Sequence, residues 1–133
     1  MMALYKDRAR AEAAAETLKV YAQPQRLMIL SCLLAGERNV SEIDSVTGIG
    51  QPALSQQLAE LRRKELVKTR RQGTQIVYTL AGEAVELCVR CMEAMLSGHG
   101  NAHEALRKAI SPAASARSPA RKAGTAAFAQ ILP

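Results

Sequence analysis

Tryptophan is absent from this chain, and three Tyr with one Phe are its only aromatic residues. A core of stacked rings is therefore excluded. The interior must be built from Leu, Val, Ile, Ala and Met, which a 48% hydrophobic content allows. Long apolar runs are also missing. None approaches the roughly 20 residues that cross a bilayer, so no membrane span is expected. Residues 1–10 carry charges and lack an apolar signal-peptide core, so the expected location is cytoplasmic. Cysteine is scarce and odd in number, at three. In a reducing compartment such thiols are packing residues, metal ligands or redox sensors rather than a disulfide framework. No Gly-rich phosphate loop is present. Ser41, Ser45 and Ser55 have no nearby His or paired carboxylates to activate them, so an enzyme is not expected, nor is a cofactor.

The 133 residues suit one domain, and acidic residues are too few to balance the cations, leaving a net charge of +6. A basic balance suits a polyanionic partner. Residues 6–21 are rich in Ala, Glu and Arg, with Ala14, Leu18 and Tyr21 at helical spacing. Pro24 can sit in the first turn of a second helix that reaches about Ala35 and stops at Gly36. That helix is apolar nearly all round and is expected at the centre.

The most informative stretch runs from Ser41 to Arg71. A short helical pattern, residues 41–46, leads into the turn Thr47-Gly48-Ile49-Gly50. A second pattern runs over residues 51–65, with Pro52 in its first turn and Ala53, Leu54, Leu58 and Leu61 on one side. Basic residues follow in Leu66 to Arg71, then a Gln72-Gly73 tip, then residues 74–80. Helix, turn, polar helix and basic hairpin make a winged helix-turn-helix, mainly α with a small two-stranded β wing. A reading helix needs a polar front for base edges and an apolar back that sets its angle. Gln51, Ser55, Gln56 and Gln57 supply the front. Leu54, Leu58 and Leu61 supply the back. Arg62, Arg63 and Lys64 lie where phosphate is the expected contact. The wing adds Lys68, Arg70, Arg71 and Gln75. Strand alternation puts Lys68 and Arg70 on one face and Arg71 on the other, with Thr69, Ile76 and Tyr78 packing the sheet.

A last long helix is expected from Gly82 or Glu83 to about Leu96. Its apolar set, Val85, Leu87, Cys88, Val89, Met92, Ala94, Met95 and Leu96, exceeds one narrow stripe. The excess points to a two-fold dimer burying Val85, Val89, Met92 and Leu96 with the first helix. Residues 1–100 would form the DNA-binding and dimerisation domain. Residues 101–133 would add a short helix over 101–110, capped by Asn101, and a disordered basic tail.

The segments Pro24 to Leu30, Ile49 to Leu58, Leu61-Arg62, Leu66-Val67, Thr69 to Arg71 and Ile76 to Leu80 resemble the ArsR/SmtB family of bacterial repressors. Within it the chain is most similar to the branch of biofilm growth-associated repressors and persulfide-responsive regulators, on the string Gly50-Gln51-Pro52-Ala53-Leu54-Ser55-Gln56-Gln57-Leu58. The resemblance implies five core helices and a two-stranded wing in a symmetric dimer. It implies repression of an operator, an inverted repeat in double-stranded DNA, with release by an inducer. The family's sensor ligands do not map across. Its Cys-Val-Cys metal motif falls on Asn39-Val40-Ser41, and its zinc site on the last helix falls on Gly82 and Ala84. The branch's dithiol pair falls on Ser31 and Ser97.

The sensor candidates are therefore the thiols themselves. Cys88 and Cys91 share a helix face, and Cys32 lies on the central helix. They could pair as an oxidisable couple, answer reactive sulfur, or hold a thiophilic ion through three thiolates. They could equally be small buried hydrophobes. His99 and His103 are four apart but are expected on a solvated surface. The expected function is a DNA-binding repressor with an inducer sensed at thiols. The alternatives are a thiolate metal-responsive repressor and a winged-helix module that binds protein.

Overall fold

The computed structural model describes residues 3–97 and 102–110. After a 3-10 turn at Leu4–Lys6, helix α1 spans Arg8–Tyr21. It starts there rather than at Lys6 because the Asp7 carboxylate accepts the Arg10 N–H at 3.2 Å. Helix α2, Pro24–Leu34, places its proline where a missing N–H costs nothing and buries Ile29, Leu30, Leu33 and Leu34. It packs against α1, three later helices and the second strand of the hairpin, and is the central helix.

Strand β1 (Arg38–Asn39) leads directly into helix α3 (Val40–Thr47), and helix α4 covers Ala53–Arg63. Strands β2 (Val67–Gln72) and β3 (Gln75–Leu80) form the hairpin. Helix α5 spans Glu83–Met95 and helix α6 spans Ala102–Ala109, the latter lying against α5. The sheet has three antiparallel strands in the order β1-β3-β2, with Arg38 opposite Tyr78 and Asn39 opposite Val77. The expected two-stranded wing is the β2–β3 hairpin, and β1 adds a third, short strand beside it. A two-residue strand is too short to leave an alternating pattern in sequence.

Ile29, Leu30, Ile43, Leu54, Leu58, Leu61 and Val89 are fully buried, and each such side chain stabilises the fold by about 1.5–3 kcal/mol. The apolar excess of α5 divides into two faces. Val85 and Val89 join the protomer's own core, whereas Leu87, Met95 and Leu96 point outward. The expectation that Val85 and Val89 form an interface is thereby corrected. Within the hairpin Val67, Val77 and Leu80 are buried, whereas Ile76, expected to pack the sheet, is 37% exposed. Helix α1 keeps only Tyr21 buried and leaves Leu18 60% exposed.

Candidate nucleic-acid interface

Reciprocal capping fixes the start of α3. The Asn39 side chain accepts the Glu42 N–H at 2.8 Å, and the Glu42 carboxylate accepts the Asn39 N–H at 2.8 Å. The helix ends at Gly48, whose φ of 69° lies in the left-handed region that glycine enters without strain. Across the turn the Asp44 carboxylate accepts the Gly50 N–H at 2.9 Å, and the Thr47 hydroxyl donates to the Ile43 carbonyl at 2.8 Å. The angle between α3 and α4 is therefore held by side chains on both sides of the glycine.

Helix α4 begins after a cis Gln51–Pro52 bond. The Gln51 amide oxygen accepts the Ser55 N–H at 3.1 Å and the Ser55 hydroxyl at 2.7 Å, satisfying a donor that the first turn would otherwise leave open. Leu54, Leu58 and Leu61 face the core. Gln56 is exposed and presents its amide to solvent. Gln57 is engaged inward, where its oxygen accepts from Arg26 Nε at 2.9 Å. Arg26 also donates to the Val20 carbonyl at 3.1 Å, so one guanidinium ties α1 and α2 to α4.

Gly73 supplies the hairpin tip at a φ of 65°. Arg71 stands opposite Ile76 and is exposed. Arg70 has a different environment. Its guanidinium makes a two-point contact with Glu37, Nε to Oε2 at 3.1 Å and a second nitrogen to Oε1. Those hydrogen bonds hold the Arg70 pKa above its ordinary value. Gln75 accepts from the Asn39 side-chain amide at 3.0 Å, joining β3 to the cap of α3. Arg63 pairs with Glu60 at 2.5 Å, and that contact lowers the Glu60 pKa. Arg62 is exposed and forms no ion pair among the described residues. A notch of about 470 Å³ between α4 and the sheet is lined by Ser55, Ala59, Arg62, Arg63, Val40 and Tyr78.

The thiols lie apart in character. Cys32 is half-buried, and burial pushes its pKa up, partly opposed by the charge of Arg38. Arg38 Nε also donates to the Cys32 carbonyl at 3.1 Å. Cys88 hydrogen-bonds the Tyr21 phenol, whose pKa is pushed up to about 12, first by burial and then by that thiol. Cys91 is half-buried on α5. Among the described residues no three His, Cys, Asp or Glu side chains are grouped so as to hold a metal ion, so the three-thiolate arrangement is not formed. His103 is exposed on α6, while His99, Asn101 and the tail from Ser111 lie outside the described residues. No helix among the described residues is long and apolar enough to cross a membrane.

Residues 23–69 match the family described as bacterial regulatory protein, arsR family. Over 71 residues the chain is 48% identical to the biofilm growth-associated repressor of Xylella fastidiosa, covering 53% of this chain and 62% of that protein. The chain thus spans rather under two thirds of that curated relative. The crystal structure of the transcriptional repressor BigR from Xylella fastidiosa superposes with a TM-score of 0.65 at 35% identity, over 74% of this chain and 100% of that one. The chain belongs to the ArsR family. The homodimeric winged helix-turn-helix domain Mb0332 from Mycobacterium bovis superposes on this ArsR-family chain with a TM-score of 0.60 at 33% identity, covering 71% and 87% of the two chains.

On this ArsR-family frame the sequence-predicted residues fall into two groups. Gln56, Arg62, Lys68 and Arg71 are exposed on α4 and the hairpin. Gln51, Ser55, Gln57, Arg63, Arg70 and Gln75 all have intramolecular partners. Sequence reasoning missed Asn39, Glu37, Asp44 and Tyr78. Asn39 could have been found, because Asn39-Val40-Ser41-Glu42 has the spacing of a capping box. Asp44 acts across the turn six residues on, while Glu37 and Tyr78 act through contacts distant in sequence.

Proposed function

We propose that this protein is a sequence-specific DNA-binding repressor that acts as a symmetric dimer on an inverted-repeat operator. One observation carries the reading: Gln56 is exposed on α4, with exposed Arg62 near that helix's end and exposed Arg71 on the hairpin, neither of them in an ion pair among the described residues. Gln matches adenine through two atoms, and free guanidinium groups meet phosphate. The notch beside α4 gives a sugar-phosphate strand a concave seat ending in Arg62 and Arg63. Leu18 on α1, Leu87 and Met95 on α5 and Leu96 directly after it are all exposed, which supports a dimer face built from the first and last core helices. A module that binds protein instead would have no use for Arg62 and Arg71 standing unpaired beside a polar helix front.

For the inducer, we assign reactive sulfur or oxidant chemistry to Cys32, the thiol that borders an open cleft. Its raised pKa leaves little thiolate at neutral pH, so the reaction is slow unless the reagent is itself strongly electrophilic. The test has two arms. Binding to an operator selected from random duplex should weaken steeply with salt, and binding that ignores salt would refute the DNA reading. The Cys32→Ser variant should bind the operator as well as the parent but resist release by inorganic polysulfide, whose sulfane sulfur passes to the thiolate as a shorter polysulfide leaves, and by peroxide. Equal release of both would refute the thiol assignment.

A further inference from the structure

A cleft of about 480 Å³ opens between α2, α3 and α5. Its walls are apolar, built from Leu27, Met28, Val46, Val89, Met92 and Leu96. Its size falls within the range of small-molecule sites, which combine apolar walls with a few placed polar groups. Here the polar group is a pair: the Ser31 hydroxyl donates to Glu93 Oε2. That bond orients the carboxylate at the solvent-exposed mouth of the cleft and supplies no counter-charge, and no other bond to it is seen among the described residues. Glu93 forms no ion pair among the described residues, whereas the neighbouring Glu86 is already matched by Arg90 at 2.9 Å. An apolar cleft walled on one side by an oriented, uncompensated carboxylate complements a ligand with a hydrocarbon body and a cationic head.

We propose that this cleft is a noncovalent binding site for small amphipathic cations, of the alkylamine class, with the ammonium group at Glu93 and the chain along Met28, Val46 and Met92. The binding step stands on the cleft alone. Its regulatory consequence rests on the DNA reading above. Val46 and Thr47 lie in the last turn of α3, directly before the Gly48 turn that sets α4, while Met92 lies on α5 and Leu96 directly after it. A ligand wedged between them bears on the reading helix and on the α5 face at once. Differential binding to two such arrangements is what coupling requires.

The experiment uses the full chain and the fluorescent apolar probe N-phenyl-1-naphthylamine, displaced by octylamine, octan-1-ol or octanoate. Octylamine should displace the probe at a concentration at least tenfold below that of octanoate, and should raise the melting temperature. Glu93→Gln should erase the advantage of the amine over the alcohol. Ser31→Phe and, independently, Met28→Trp should fill the cleft and abolish the probe signal, with circular dichroism and the sedimentation coefficient unchanged. The proposal is overturned if the parent does not bind the probe, if whichever filled variant folds still binds it, or if octanoate competes as well as octylamine. It is also overturned if filling the cleft dissociates a dimer, which would make the cleft a seat for a second copy. Operator binding measured without any amine tests the DNA reading separately. Its loss would refute that reading, while amine-selective displacement would still support the cleft as a cation site.

Discussion

Arg70 and Arg71 are adjacent in sequence, yet their replacement should produce different defects. Arg71 is exposed and in no ion pair among the described residues, so on the proposed reading it contacts phosphate in each protomer. Each phosphate contact contributes roughly 0.9 to the slope of log K against log salt, so Arg71→Ala should flatten the slope by about 1.8 in a dimer. Between 50 and 200 mM salt that amounts to a roughly 12-fold smaller loss of affinity. Arg70 is 39% exposed and its partner Glu37 only 14% exposed, with the guanidinium committed to that carboxylate. Arg70→Ala therefore leaves a largely buried charge without its partner. A half-buried pair costs less to break than a fully buried one, so the expected loss of stability is about 1–2 kcal/mol. The slope should hold near the parent's. Fluorescence anisotropy on a labelled duplex over a salt series, beside urea denaturation, separates the two effects. The reasoning fails if Arg70→Ala flattens the slope as much as Arg71→Ala while leaving the denaturation midpoint in place.

Gln51→Ala should destabilise the fold by about 0.5–2 kcal/mol, as loss of a cap does, whereas Gln56→Ala should leave the melting curve alone and weaken specific binding by about 1–3 kcal/mol. Competition with scrambled duplex reads the second and calorimetry the first. Met95→Glu with Leu96→Glu should shift sedimentation from dimer to monomer, while Val89→Ala should leave assembly intact and cost about 2 kcal/mol of stability through the cavity it opens. Tyr21 is raised from 10.0 to about 12 in the folded chain, so folding favours its protonated form. Its contribution is fully present below pH 10 and is lost as pH rises from 10 towards 12. Tyr21→Phe should accordingly show a shallower fall in denaturation midpoint across that window, and an unchanged fall would refute the assignment.

Punctuation made much of this fold legible. Pro24, the Gly48 turn and the Gly73 tip each restrict the backbone locally, so the elements between them can be read without tertiary information. The buried side of α4 was readable from Leu54, Leu58 and Leu61 because their spacing matches the helical repeat. Pairings across the chain were not. Arg26 meets Gln57 across 31 positions, and Arg70 meets Glu37 across 33. No periodicity reports which of several exposed-looking polar groups a distant partner will occupy. Helix α5 was ambiguous for a different reason. Apolar residues on more than one side carry no phase, so only packing against α2 and β3 decides that Val85 and Val89 face inward. The same lack of phase hid the thiols, whose neighbourhoods depend on the rotation of α5 about its own axis.

Strand β3 lies between its two neighbours, and β1 is only two residues long, so among the described residues the extended outer edge of the sheet belongs to β2. An unprotected outer edge is where a foreign strand can add itself and where self-association into fibres begins. Along β2 the exposed Lys68 and Arg71 place like charges before any second copy that approaches edge to edge, while Arg70 is committed to Glu37. On the proposed reading, cations that meet phosphate would also discourage edge-to-edge pairing of the hairpin. Variants that neutralise the strand to silence DNA binding should become harder to keep in solution at high concentration, and adding DNA to the parent should shield its charges while covering the edge itself.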